Sequence, residues 1–454
     1  MLKLGIGGNF YSVLKSMYQN SKVRVITDEG LSDAIAARKG VRQGDSISPF
    51  LFNTYVNDLP ELFLEEECKA PKLLNETVPA LLYADDLVIL STTSSGIQHS
   101  LNKLHSYCDQ WKLEVNMKKS NIMIMGSRTR TTDVFGYGDK TIDIVDQYRY
   151  LGIIINKQGS FKQAKNDLKR KALKAIFGMW ACICPYKVPN IKLANKMSDT
   201  LIKPIVLYNQ NIWISEITMN IQKYILSGNN PPNLDYLFKT VNNEPCEQVH
   251  LKYCKMMFGV GKNTANAATR AELGRYPLYI ESYIAMVKYW LRLYKLPNTR
   301  LIVDALKCDE NIHETGIYTW TSMVKYLLTK YGFSEVWENK QVTNEHDFFT
   351  CFSDKLKLEY QTMSKTLINR DRNPLTGENN KLRTYKLTKT EFKEEKYLSL
   401  VTKQQQRCAV TKLHLSSHDL MIEKGRKHKI DSDKRFCNKC EKNEVEDEYH
   451  AIMN

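Results

Sequence analysis

The sequence lacks any uncharged apolar run near the roughly 18 residues that a membrane-spanning helix requires, which argues against a helical membrane protein. Met1 to Gly5 leads into no apolar core of signal-peptide length. Cysteine is sparse and scattered: eleven residues, an odd number, close together only at Cys182/Cys184 and Cys437/Cys440. That argues against a disulfide-stapled secreted domain and leads us to expect reduced thiols inside a cell. No internal repeat or low-complexity tract occurs, so a solenoid is not expected. Acidic residues are also short, 50 against 65 Lys and Arg, giving a formal net charge of +15. Such an excess suits a polyanionic partner. It is concentrated from Lys381 to Arg435, where 15 basic residues face 7 acidic ones.

What is present is enough apolar material for two or three packed domains: 454 residues, 43% hydrophobic. Phe10, Val13, Leu14, Met17 and Tyr18 predict an amphipathic helix near 9–19. Val23 to Ile26 reads as a strand turned by Asp28-Glu29-Gly30. Ser48-Pro49 predicts a helix start with Ser48 as the cap, an apolar face through Leu51, Phe52, Tyr55, Val56 and Leu59, and Pro60 near the end. The apolar run from Val78 to Leu90 is broken only by Tyr83-Ala84-Asp85-Asp86, which predicts a hairpin with the carboxylates at its turn. Ile97 to Trp111 predicts a further helix, and Ile122 to Met125 a strand. Residues 1–125 therefore read as α+β, an antiparallel sheet backed by helices. From about 160 to 300 helical periodicity dominates, with breaks expected at 227–232 and 371–380.

Asp is a common turn residue, so an ordinary hairpin accounts for Tyr83 to Asp86 taken alone. The neighbours change that reading. Upstream runs Gly40-Val41-Arg42-Gln43-Gly44-Asp45-Ser46-Ile47-Ser48-Pro49, in which Gly44 permits close backbone approach by a ligand. The helix start that follows offers free amides to an anion. At these residues the chain resembles the reverse transcriptases of non-LTR (LINE-like) retrotransposons. Gln43-Gly44-Asp45 with Ser48-Pro49 is similar to their motif B, Tyr83 to Asp86 to motif C, Asn116 with Lys119-Ser120 to motif D, and Tyr150-Leu151-Gly152 to the motif E primer grip. Group II intron maturases share the Tyr-Ala-Asp-Asp turn, but Asp45 and Asn57-Asp58-Leu59-Pro60 look like the retrotransposon version.

The resemblance implies a partial right-hand polymerase: a palm over 1–125, a primer-grip hairpin over 126–159, a helical thumb and extension over 160–300, a helical connector over 301–380, and a basic tail over 381–454. It implies RNA template, DNA primer and deoxynucleoside triphosphates as partners, with no membrane, and a nuclear location. Asp85 and Asp86 would coordinate magnesium, two ions in a complete enzyme, and Gln43, Gly44, Tyr83 and Asn116 would surround nucleotide and template. Lys119 would approach the triphosphate, although a solvated surface lysine is the competing reading. Family members carry a further motif A aspartate, in an aromatic-Asp pair well upstream of motif B. Ahead of Gln43 only Asp28, Glu29 and Asp33 are acidic, and none follows an aromatic residue. The chain is therefore expected to lack that aspartate and the fingers, and to be inactive alone. A non-enzymatic nucleic-acid-binding protein is the alternative. In the tail, Cys437, Cys440 and His450 have the spacing of a zinc site, against redox or chance pairing of the cysteines. The family's knuckle adds a fourth ligand, a cysteine after the histidine, with no counterpart here. His418 is expected to be structural.

Overall fold

The computed structural model describes the chain except residues 20, 38, 127–131, 184–189, 227–233, 371–380 and 454. The two expected breaks at 227–232 and 371–380, and Cys184, thus lie outside the described residues. The fold is α+β and helix-rich, in two compact units, residues 1–146 and 147–454.

Unit 1 opens with α1 (Gly8–Gln19). Of its apolar positions only Leu14 is buried, while Phe10, Val13 and Met17 stay 40–58% exposed. Four two-residue strands follow: β1 (Lys22–Val23) pairs with β4 (Ile35–Ala36), and β2 (Ile26–Thr27) with β3 (Gly30–Leu31). The strand expected over Val23 to Ile26 is thus split, because Val25 leaves the ladder to hydrogen-bond Ser32 through both its amide and its carbonyl. Helix α2 spans Ser48–Tyr55 with Pro49 in its first turn. Ser48 does not cap it. Its hydroxyl donates to the Arg42 carbonyl (2.6 Å), and Asp45 Oδ1 accepts the amide of Ile47, just ahead of the helix (3.1 Å), which leaves α2 without a side-chain cap. Arg42 anchors this loop by reaching back to the end of α1, where its guanidinium donates to Met17 O (2.5 Å) and Ser21 Oγ and lies over the Tyr18 ring. A cation at a helix C-terminus also complements the helix dipole. Gly44 lies at φ +83, so the turn selects glycine by conformation, and an added Cβ would meet no atom within 4 Å.

After β5 (Lys72–Leu73) and β6 (Glu76–Thr77) come β7 (Ala80–Tyr83), β8 (Asp86–Ile89) and α3 (Ser94–Trp111), then β9 (Phe135–Tyr137) and β10 (Lys140–Ile142). Thr93 caps α3 by accepting the Gly96 amide (3.0 Å). The core of unit 1 joins Val56, Leu59, Phe63 and Cys68 to Leu101, Leu104, Tyr107 and Cys108 of α3, with Phe135, Tyr137 and Ile142 closing one side. The expected single sheet is corrected. All named strands fall into separate antiparallel pairs, and among the described residues only Ile122 of Ile122 to Met125 joins a strand partner, through one parallel bridge to Ile144. Strands of two to four residues offer too little ladder to recruit a third neighbour, and Met125 points out, 58% exposed.

Unit 2 opens with the hairpin β11 (Gln147–Tyr150) and β12 (Ile153–Asn156) and is otherwise helical. Helices α4 (Lys162–Ile183), α5 (Pro245–Phe258), α6 (Asn266–Leu273), α7 (Tyr279–Tyr294), α8 (Trp320–Lys330) and α9 (Glu345–Asn369) share one apolar core running from Ile153 to Leu415. Gly259 and Gly274 end α5 and α6 in left-handed conformations, as expected of helix stops.

Three outcomes follow from this packing. Phe63, fully buried, should cost about 3–5 kcal/mol as Phe63→Ala, read from denaturant unfolding of unit 1. Gly44→Ala should cost about 1 kcal/mol from backbone strain with no steric part, measured the same way. In unit 2, the hydrogen bond from His414 Nδ1 to buried Glu272 (3.0 Å) holds the imidazole above its ordinary value. The stabilisation it gives is complete below about pH 6.5, the unfolded value, and fades as pH rises through the higher folded value. His414→Gln should flatten that decline in a pH series of melting temperatures.

Candidate functional site

The register of β7 and β8 decides where the acidic pair points. Ala80 pairs with Ile89, Leu82 with Leu87, and Tyr83 with Asp86. Ala80, Leu82, Leu87 and Ile89 pack on the unit 1 core, so by strand alternation Tyr83 and Asp86 project from the opposite face. Asp85 occupies the two-residue turn with Ala84, which sits at φ +52, a conformation costly for a residue with a Cβ. Tyr83 is 65% exposed, and both carboxylates are exposed with no ion pair among the described residues. Two adjacent acidic groups on a rigid tip, open to solvent and unneutralised, form a cation-facing surface.

The other expected residues of unit 1 are held by the same core. Phe52 of α2 and Val56 just after it pack into it, which ties the Gln43–Gly44 loop to the hairpin through one helix. Gln43 itself is exposed. Leu113, Val115 and Met117 pack there too, and between them Asn116 begins a turn in which its carbonyl accepts the amides of Lys119 (3.0 Å) and Ser120 (3.1 Å). Asn116 and Lys119 are both exposed. Glu65, Glu67 and His99 also lie together on the surface, but Lys103 already pairs with Glu65 at 2.8 Å.

Tyr150, Leu151 and Gly152 belong to unit 2. Leu151 and Gly152 form the turn of the β11–β12 hairpin, both at positive φ, as two-residue hairpin turns favour. Tyr208 Oη donates to the Leu151 carbonyl (2.8 Å), and Arg149 joins the hairpin to Asp167 of α4 (2.8 Å). Arg149, Arg170 and Lys171 surround Asp167 and hold its carboxyl far below the usual range. Sequence reading missed Arg42, Arg149 and Tyr208, since each acts on a partner distant in the chain.

At the C-terminus the ligand atoms of Cys437, Cys440 and His450 lie within 4.8 Å of one another. Phe436 bridges Val445, and the Cys437 amide donates to Glu444 O (2.8 Å), making a small hairpin that presents both thiols. The Lys439 amide donates to Cys437 Sγ (3.4 Å), which lowers the thiol pKa and favours thiolate. His450 Nε2 lies 3.3 Å from Cys440 Sγ, while Glu444 holds Nδ1 at 3.1 Å. A carboxylate on the far imidazole nitrogen is the usual orienting partner of a metal-bound histidine. The three donor atoms lie close enough together to hold one metal ion, and two thiolates with an imidazole are a donor set that zinc accepts. His418 lies instead against Glu448 (2.8 Å), in a structural position.

Residues 4–155 match the family described as reverse transcriptase (RNA-dependent DNA polymerase). The chain is similar to the Retrovirus-related Pol polyprotein from type-1 retrotransposable element R2 of Nasonia vitripennis, 30% identical over 34% of this chain and 16% of that protein. It is also similar to two Drosophila melanogaster proteins. One is the RNA-directed DNA polymerase from mobile element jockey, 21% identical over 45% of this chain and 22% of that protein. The other is the probable RNA-directed DNA polymerase from transposon BS, 24% identical over 45% and 23%. The aligned part thus covers less than a quarter of each of these relatives. Through its first third, the chain is similar to the reverse transcriptases of non-LTR retrotransposons.

Proposed function

We propose that this chain serves RNA-directed DNA synthesis by a retrotransposon, with Asp85 and Asp86 as metal-holding carboxylates, Asp85 the principal one. The observation that carries the reading is the exposed Tyr83–Asp86 hairpin, built on the same core as α2 and the Asn116–Ser120 turn. Magnesium bound there would supply charge to activate a primer hydroxyl and stabilise the leaving pyrophosphate. Gln43 and Gly44 line the nucleotide and template side, Gly44 leaving open space above the backbone. Tyr83 forms a wall beside the carboxylates, Asn116 shapes the turn below, and Lys119 offers an ammonium to the triphosphate. Tyr150, Leu151 and Gly152 hold the primer strand. Residues 1–125 then serve as palm, 126–159 as primer grip, 160–300 as thumb, 301–380 as connector and 381–454 as basic tail. Cys437, Cys440 and His450 hold zinc in that tail. Action in the nucleus belongs to the same reading, and its local support is the basic run Arg426-Lys427-His428-Lys429.

The chain alone is proposed to be a poor catalyst. Two divalent ions about 4 Å apart repel by about 4 kcal/mol even in bulk water, four times the unit-charge figure. Asp85 and Asp86 cancel only half of that charge, and among the described residues no third His, Cys, Asp or Glu groups with them.

Three measurements on the full chain test this. An RNA–DNA hybrid should bind, with affinity falling at least about tenfold between about 50 and 200 mM salt, and Asp85→Ala should leave it within twofold. Ferrous iron in place of magnesium should cleave the chain near residues 85–86, and Asp85→Ala should abolish the cut. Primer extension should not exceed the Asp85→Ala background. Template-dependent extension lost in that variant would establish the polymerase and refute the inactivity. Hybrid binding without iron-directed cleavage favours a purely nucleic-acid-binding protein, and absence of both sinks the proposal.

A further inference from the structure

We propose that Arg383 and Glu448, assisted by His418, are positioning residues for the Cys437–Cys440–His450 site, so that an ion pair outside the ligand set governs its metal affinity. This rests on the metal reading above.

His450 is carried by α11 (Glu448–Met453), a helix of six residues and too short to persist without tertiary anchors. Glu448, its first residue, supplies the anchor. Its carboxylate is 3% exposed and accepts from Arg383 (2.7 Å) and Ser416 Oγ (3.3 Å), with His418 Nε2 at 2.8 Å. The cysteine arm is fixed by a second set of contacts. Arg435, just before the Cys437 hairpin, folds over Gly425 of α10 (Met421–Lys427), where an added Cβ would lie 2.6 Å from Arg435 Cγ. Its guanidinium donates to the carbonyls of Ile422 (2.9 Å) and Ile430 (2.9 and 2.7 Å). Glu446 returns the strand to α10, its carboxylate accepting the Met421 amide (2.7 Å) and its carbonyl the Ile422 amide (3.1 Å).

Both arms converge on one guanidinium. Arg383 donates to Glu448 on the histidine arm and to Glu423 of α10 on the cysteine arm (3.2 Å). Arg426 also pairs with Glu423 (2.8 Å), so loss of Arg383 leaves Glu423 a second arginine, whereas Glu448 keeps Ser416 and His418 but, among the described residues, no arginine. The separation of His450 from the two thiols is then held less tightly before metal arrives. Removing a hydrogen-bonding partner of a metal ligand typically costs 10- to 100-fold in metal affinity, and loss of the anchor of the helix that carries the ligand is expected to fall in the same range.

Cobalt(II) titration of the full chain, read by its thiolate charge-transfer and d–d bands, with zinc affinity from competition, tests the proposal. Wild type should give the bands, and Cys437→Ser should lose them. Arg383→Gln and Glu448→Gln should each weaken zinc about 10- to 100-fold, and the double variant little further, because they remove one interaction. Lys403→Gln, which removes the same charge at an exposed position, should bind as wild type. If Arg383→Gln loses far-UV ellipticity, the near-isosteric Glu448→Gln carries the test through metal-free hydrogen exchange. Amides of Glu448–Met453 should then exchange faster, with those of Tyr279–Tyr294 unchanged. Wild type without a thiolate band overturns the metal reading and this proposal together. Wild-type bands with both variants within twofold, or with unchanged α11 exchange, overturn this proposal alone.

Discussion

The carboxylate hairpin depends on strand alternation against a single apolar core. Ala80, Leu82, Leu87 and Ile89 are drawn inward by Leu101, Leu104 and their neighbours, and that burial alone fixes which way Asp86 and Tyr83 face. A one-residue slip would exchange the faces, placing Leu81 and Val88 in the core and aiming the inward set at solvent. These side chains are partly buried, so each contributes a share of the ~1.5–3 kcal/mol of a fully buried aliphatic group, and packing adds to the four-residue ladder in holding the register. The strain at Ala84 is tolerated for the same reason. The core over-determines the two strands, and the turn must close on whatever angles remain.

In the helical unit the fixing constraints are buried charges. Arg270 is fully buried and joins α6 to α5 through Glu247 (2.8 Å), while its other arm reaches Asn242 (2.7 Å). Lys165 of α4 lies between Glu216 (2.8 Å) and Glu244 (2.9 Å), the residue that precedes α5. Desolvation offsets much of the attraction in such pairs, so they contribute little net stability. Breaking one by removing a single partner costs about 3–5 kcal/mol. Their consequence is geometric, because each pair permits only one mutual placement of its two helices. Arg383 with Glu423 and Glu448 extends the same device to the end of the chain.

Features set by neighbours in sequence were legible. The α3 periodicity, the glycine stops after α5 and α6, and the hairpin at Tyr83 to Asp86 each follow from a few adjacent residues. The Ser48-Pro49 start was legible but its cap was not: no side chain caps the helix, because the Ser48 hydroxyl found the Arg42 carbonyl. Arg42 and Arg383 were not legible as anchors. Their partners lie 25 residues away at Met17 and 65 residues away at Glu448, and a lone arginine carries no periodic signal. The pattern of α1 was also read only in part. Amphipathic spacing identifies an apolar face but not what covers it, and Phe10, Val13 and Met17 remain exposed.

Charge separates two properties that the resemblance presents as one. Attraction of a polyanion draws on the whole excess of +15, spread over many lysines and arginines, so no single residue controls it. Metal chemistry at the hairpin draws on two carboxylates whose field falls off within roughly 10 Å at moderate salt. On the proposed reading, remote acidic residues therefore cannot stand in for a carboxylate at the tip. Hybrid affinity and nucleotide transfer thus rest on different physical terms, the first diffuse and robust to substitution, the second local and all but lost when one charge is absent. On the proposed reading, the long-range term is generously supplied and the short-range term at Asp85 and Asp86 limits the chemistry.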